Sequence, residues 1–89
     1  MGMKLKKSIL SNCILKEVDF YQADLTECDL RFSDLQEARF QETILKKANF
    51  QQAFNYQIDP ITNKVRGARF NLPEAIGLLT GLGIIIVDN

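Results

Sequence analysis

The sequence predicts an all-β solenoid, a chain wound into stacked coils, and three observations carry that expectation. Leu5, Leu10, Leu15, Phe20, Leu25, Leu30, Leu35, Phe40, Leu45 and Phe50 occupy every fifth position without a gap. Two residues before each of them the side chain is mostly small, as at Ser8, Cys13, Ala23, Cys28, Ser33, Ala38, Thr43 and Ala48. Asp19, Asp24, Asp29, Asp34 and Asn49 stand directly before the large residue, and the two positions after it are nearly all polar. A step of five turns about 140° on a helix and would scatter the large residues around the cylinder. On a straight strand an odd step alternates faces and would put half of them in water. The pattern works if the chain turns a corner every five residues, returning each Leu or Phe to a common interior. Four such sides close a coil of about 20 residues, and coils stack at roughly the 4.8 Å strand spacing.

Each part of the repeat has a place in that coil. Leu5, Leu25 and Leu45 should form one interior ladder, and Leu10, Leu30 and Phe50 another. The small residues also point inward, where a narrow interior leaves little room, so Cys13 and Cys28 read as buried structural thiols. On the surface Lys7, Glu27 and Lys47 alternate in sign, Asp19 lies over Arg39, and Glu17 over Glu37 is a like-charge contact. Exposed pairs of this kind contribute only ~0–1 kcal/mol each, so the interior ladders must supply the stability.

Ala23-Asp24-Leu25-Thr26-Glu27 and Ala48-Asn49-Phe50-Gln51-Gln52 resemble the A(D/N)LXX unit of pentapeptide repeat proteins. The resemblance covers residues 3–52, with a further unit at Ala68-Arg69-Phe70-Asn71. It implies a right-handed quadrilateral β-helix. The expected organisation is a repeat body over 3–54, a loop excursion over 55–67, and a last unit with C-terminal cap and dimerisation segment over 68–89.

The excursion is expected because Phe54 comes one place early and Asp59-Pro60, Asn63 and Gly67 carry turn chemistry. Tyr56, Ile58 and Ile61 are placed to pack this loop over the last coil. Asn71 followed by Glu74 reads as a capping box opening a short helix over 72–80, and Ile84–Val87 reads as a terminal strand. The ending is similar to the C-terminal modules of bacterial pentapeptide repeat proteins of the quinolone-resistance and microcin-immunity types. A short helix and strand cannot bury so many apolar groups on the end of one narrow coil. The surplus predicts a homodimer through Leu72, Ile76, Gly77, Leu79, Gly81, Leu82, Ile84 and Ile86. Gly77 and Gly81 weaken a helix, which close approach of a second backbone would explain. The alternative is that helix and strand fold back as a lid on their own solenoid.

Composition narrows the function. Among 89 residues there is no histidine, which removes the commonest general base and metal ligand. No enzyme activity, cofactor, metal or small-molecule substrate is expected. Basic and acidic side chains number eleven each, so no net field draws the chain to nucleic acid or to a membrane. Lys4, Lys6 and Lys7 are followed only by Ile9-Leu10 before polar residues, unlike a signal peptide, and the apolar stretch Ala75–Val87 is too short to span a bilayer. With two cysteines and no disulfide framework the expected compartment is the cytoplasm. Repeats begin at Met3 with no cap before them, so the chain reads either as whole or as the C-terminal part of a longer solenoid.

Charge is uneven along the chain. Residues 3–16 carry four lysines and no acid, whereas Glu17, Asp19, Asp24, Glu27, Asp29, Asp34, Glu37 and Glu42 face only Arg31 and Arg39. The first functional reading is a protein-interaction or scaffold module that self-associates. The second follows from the resemblance: quinolone-resistance members of the family are regarded as DNA mimics that bind DNA gyrase, and the acidic band over 17–42 is the candidate surface. Against it, Asp before the central residue is also the repeat's own grammar.

Overall fold

The computed structural model describes residues 2–87, so the expected segment 68–89 is described as far as residue 87. The chain is a β-helix. Parallel bridges join residues twenty apart, from Lys4 with Asp24 through Asp24 with Ile44 to Ile44 with Lys64, and from Ile9 through Asp29 and Asn49 to Arg69. Except at Phe54, the bridging residue is the one before the large interior residue. Its N–H donates to the coil below (Asp24 N to Met3 O, 2.8 Å), and its C=O accepts from that same coil (Leu5 N to Asp24 O, 2.9 Å).

Corners follow from local chemistry. The N–H of the small residue donates back to the C=O of the large residue three places earlier, as Ala23 does to Phe20 and Ala48 to Leu45. The residue just before the small one is left-handed: Lys7, Asn12, Glu17, Gln22, Glu27, Phe32, Glu37, Glu42, Lys47 and Gln52 have φ between 51° and 62°. Non-glycine residues pay for this conformation by roughly 1 kcal/mol or more. The stacked ladder holds them there.

The interior is built as the pattern requires. Leu25, Leu30, Leu35, Leu45 and Phe50 are fully buried, and Ala23, Cys28, Ser33, Thr43 and Ala48 beside them are equally inaccessible. Phenylalanines stack at the twenty-residue repeat, Phe20 on Phe40 at 5.1 Å and Phe50 on Phe70 at 4.9 Å between ring centroids. Where the small residue is polar it bonds inward. Ser33 Oγ donates to Leu10 O and accepts from Cys13 N, and Thr43 Oγ1 donates to Phe20 O. Asp19 and Arg39 pair as expected, but through their backbones: the Asp19 carboxylate accepts from Tyr21 N.

The structure departs from the sequence reading at four places. Phe54 is no early interior residue; it keeps register, pairs with Asp34 and points outward. The chain then leaves the coil at Asn55, which is left-handed, and Tyr56 and Ile58 fill the interior instead. The ladder resumes at Lys64 rather than at Ala68, because Lys64 follows Phe54 by ten positions, twice the five-residue repeat. Asn63 anchors this return. Buried, it accepts from Thr43 N through Oδ1 and donates through Nδ2 to Phe40 O and Asp59 O.

The helix, α1, is only Ile76–Thr80, and its N-cap is Ala75 with no side-chain cap. Asn71 cannot serve, because its Oδ1 accepts from Gln52 N of the coil beneath at 2.7 Å, standing in for the carbonyl of a further coil. Ile84–Val87 forms no strand: β-branched residues need a neighbouring edge, and among the described residues none lies against them. An added Cβ at Gly81 would meet the Pro60 ring at 2.7 Å, so this glycine leaves room for the chain's own loop, whereas nothing lies within 4 Å of one at Gly77.

Candidate interaction surfaces

At the C-terminal end α1 seats Leu78 in the core, with Ala75 half-buried beside it, and leaves its other apolar residues outside. Leu72, Ile76, Leu79, Leu82, Ile84 and Ile86 are all exposed, from 41 % at Leu79 to 70 % at Leu72, and Gly77 and Gly81 are exposed with them. Ile85 and Val87 add to the same segment. This apolar surface exceeds what scattered single residues need explain.

Between loop and helix runs a groove of about 350 Å³ lined by Phe40, Tyr56, Ile58, Asp59, Glu74 and Leu78. Sequence reasoning missed it, since it forms only when the loop folds over the last coil. Tyr56 packs against Phe50 and Phe70, and its hydroxyl is buried without a hydrogen-bond partner among the described residues. Burial, with the charge of Glu74 adding to it, pushes the phenol up to about 12. An orphaned buried hydroxyl costs about 1–3 kcal/mol. Tyr56→Phe is therefore expected to raise the urea midpoint, by about 1 kcal/mol in stability; an unchanged or lowered midpoint would show that the hydroxyl is satisfied in solution.

The acidic residues occupy two kinds of position. Asp19, Asp24, Asp29 and Asp34 sit in four separate stacks of bridges, and Glu17, Glu27, Glu37 and Glu42 sit at left-handed corners. They girdle the rod instead of lining one face. Each of the four aspartates accepts the N–H two residues on: Tyr21, Thr26, Arg31 and Gln36. Asn49 does the same for Gln51. Here lies the physical reason for Asp or Asn before the central residue: the side-chain oxygen satisfies a corner N–H that the ladder leaves free.

These bonds also set ionisation. The Thr26 hydroxyl and N–H hold the Asp24 carboxyl below the usual carboxylate range. The Arg31 guanidinium, donating to both oxygens, does so for Asp29, and the Asn55 amide does so for Asp34. All three remain charged near neutrality. Lys16 pairs with Asp34 at 3.7 Å. Cys28 is buried and Cys13 half-buried, and burial pushes the Cys28 thiol up, away from nucleophilic use. Among the described residues no cluster of His, Cys, Asp or Glu could hold a metal, and no helix is long and apolar enough to cross a membrane.

The five-residue repeat, with Asx oxygens capping corner N–H groups at Asp19, Asp24, Asp29, Asp34 and Asn49, defines a repeat solenoid. The pattern of the family described as Pentapeptide repeats matches residues 2–31 and 23–54, in eight copies, and the chain belongs to that family. No curated protein matches it. Among solved structures it is similar to full-length QnrB1, described as a plasmid-mediated fluoroquinolone resistance protein, with a TM-score of 0.56 over 91 % of this chain at 14 % identity. A trypsin-treated form of QnrB1 gives a TM-score of 0.49 at 19 % identity over 94 % of this chain. At these identities the likeness is one of fold. The chain spans 43 % of the length of QnrB1.

Proposed function

We propose that this chain is a non-catalytic, cytoplasmic protein-interaction module that works as a homodimer. The body is a right-handed quadrilateral β-helix, the loop and α1 cap its C-terminal end, and the segment from Leu72 to Val87 joins two copies. One observation carries the reading: eight large apolar side chains of that segment stand exposed while Leu78 alone is buried by α1. Family membership supports an interaction role, and two free thiols suit a reducing compartment. Sedimentation equilibrium at micromolar concentration should return the dimer mass. Leu79→Glu with Ile86→Glu should return the monomer with an unchanged melting temperature, since both side chains are exposed in the single chain. A monomeric parent defeats the proposal.

A second reading, a DNA mimic that binds DNA gyrase or another topoisomerase and protects against quinolones or toxins, draws on the net charge of −6 over 17–42 and on the fold shared with QnrB1. Placement of the aspartates on four different sides weighs against it. Asparagine can replace aspartate as the corner acceptor, as Asn49 does, so Asp24→Asn, Asp29→Asn and Asp34→Asn together remove charge and keep the turns. Under this reading the triple variant should lose gyrase affinity about tenfold or more. Retained binding, or no binding by the parent, would exclude it.

A further inference from the structure

Folding sorts the charge that cancels in the sequence. Stacking at intervals of twenty sets Ile44 against Lys64 and Asn49 against Arg69, and Lys47 N donates to Arg66 O at 2.9 Å. One corner in the side wall of the rod thereby gathers residues 44–49 and 64–69. It carries Lys46, Lys47, Lys64, Arg66 and Arg69, all exposed, and no acid at any of those positions. Among the described residues none of the five is in an ion pair; the pairs that form are Lys16 with Asp34 and Arg31 with Asp29. Asp24, Glu27 and Asp29 lie one coil below and bound the patch on that side.

Within the patch is a hollow of about 470 Å³ lined by Glu27, Lys47, Asn49, Gly67 and Arg69. Three of these supply donors. Lys47 and Arg69 are cationic, and Asn49, whose Oδ1 is taken by the Gln51 N–H, has its Nδ2 left to donate. Aspartate at the same position, as at Asp29 one coil below, offers only acceptor oxygens. Gly67 keeps the hollow open: its φ of 74° suits no ordinary side chain, and a Cβ there would lie 3.2 Å from Lys47 Cγ. Guanidinium fork, ammonium and amide together suit a phosphate group. Lys46, Lys64 and Arg66 extend the positive surface beyond the hollow, more charge than one phosphate would use. No aromatic residue stands at 44–49 or 64–69, so an unpaired base would find no platform to stack on. We propose that this corner docks the phosphate backbone of a nucleic-acid duplex without reading its base sequence. A net charge of zero conceals the site because the compensating acids lie mostly on other parts of the rod. The patch lies on the side wall, so it stands or falls separately from the proposed dimer contact.

The test uses the full chain and a fluorescently labelled, random-sequence DNA duplex of about 20 base pairs, read by anisotropy. Binding at low salt should fall as salt rises, with a log–log slope of about −3, as neutralising three or four phosphates requires. Lys47→Gln with Arg69→Gln should weaken binding about tenfold or more and reduce the slope by about 2. Arg39→Gln, an exposed cation on another side, should change affinity by less than about twofold. On the parent chain the duplex should shift the backbone amide resonances of residues 44–49 and 64–69 and leave those of 31–39 in place. No binding at low salt, an equal loss from Arg39→Gln, or shifts centred on other residues would each overturn the proposal. Tighter binding to the single strand, or binding to phosphatidylserine vesicles but not to the duplex, would overturn it as well. Should the double variant fail to fold, the resonance shifts of the parent still decide it.

Discussion

Leu25→Asp is expected to unfold the protein outright. Leu25 is completely inaccessible, lies between Leu5 and Leu45 in one interior column, and its N–H donates to Ile44 O at 2.7 Å. Replacing it removes roughly 2 kcal/mol of apolar burial and places a carboxylate where no cation or donor awaits it. The uncompensated charge costs several kcal/mol more. Domains hold only about 5–15 kcal/mol in total, and a small one sits at the lower end. Gln51→Asp makes the proper control, because Gln51 is exposed and only its backbone is engaged, its N–H donating to Asn49 Oδ1 and its C=O accepting from Phe32 N. It should shift stability by no more than about 0.5 kcal/mol. Circular dichroism and urea titration of the two variants give the comparison; similar midpoints would remove the interior register.

Asn63→Ala should rank next. The Asn63 amide is 5 % exposed, and three backbone groups depend on it: the Thr43 N–H, the Phe40 carbonyl and the Asp59 carbonyl. Truncation strands all three beneath the loop, at about 1 kcal/mol or more each. A loss of about 3 kcal/mol is expected in urea unfolding, and amide exchange at Thr43 should rise with it. Asn63→Asp keeps an acceptor for Thr43 but loses both donors and buries a charge, so it should be no milder. A loss under about 0.5 kcal/mol for either variant would mean that the loop is held by Tyr56 and Ile58 alone.

The body of the fold was legible because one physical demand, a common interior reached every five residues, is written at Leu5 through Phe50 without interruption. The stacking of Asp19 on Arg39 and the interior ladders followed from the same count. What the pattern could not convey was position where residue type breaks but length does not. Phe54 looked like a misplaced interior residue because it is large, yet its backbone keeps the pairing with Asp34. Asn63 looked like turn chemistry because asparagine usually is; its role is inward, at the position that Thr43 and Ser33 fill elsewhere. Asn71 offered a correct cap residue, but its oxygen was claimed by a residue nineteen places earlier. A nonlocal bond outcompeted a local one. For the acidic band, linear sequence hides that neighbouring aspartates lie on different sides of the rod.

The nine residues between Phe54 and Lys64 carry a lesson about how such a chain can change over generations. Within that detour Tyr56, Ile58 and Asn63 are held by burial, exposed side chains such as Ile61 are free to drift, and the step of ten positions keeps Lys64 paired with Ile44. Within the repeat body a gain or loss of one residue would slide every later partner out of place, so viable insertions there come in fives. Duplicating one five-residue unit before Ala53 would swing the detour and α1 a quarter-turn around the rod, setting them above a different column of surface charges. Duplicating four units would lengthen the rod and leave that bearing unchanged. Descendants of one ancestor could thus point the same capping segment toward four compass directions with no alteration to its own sequence.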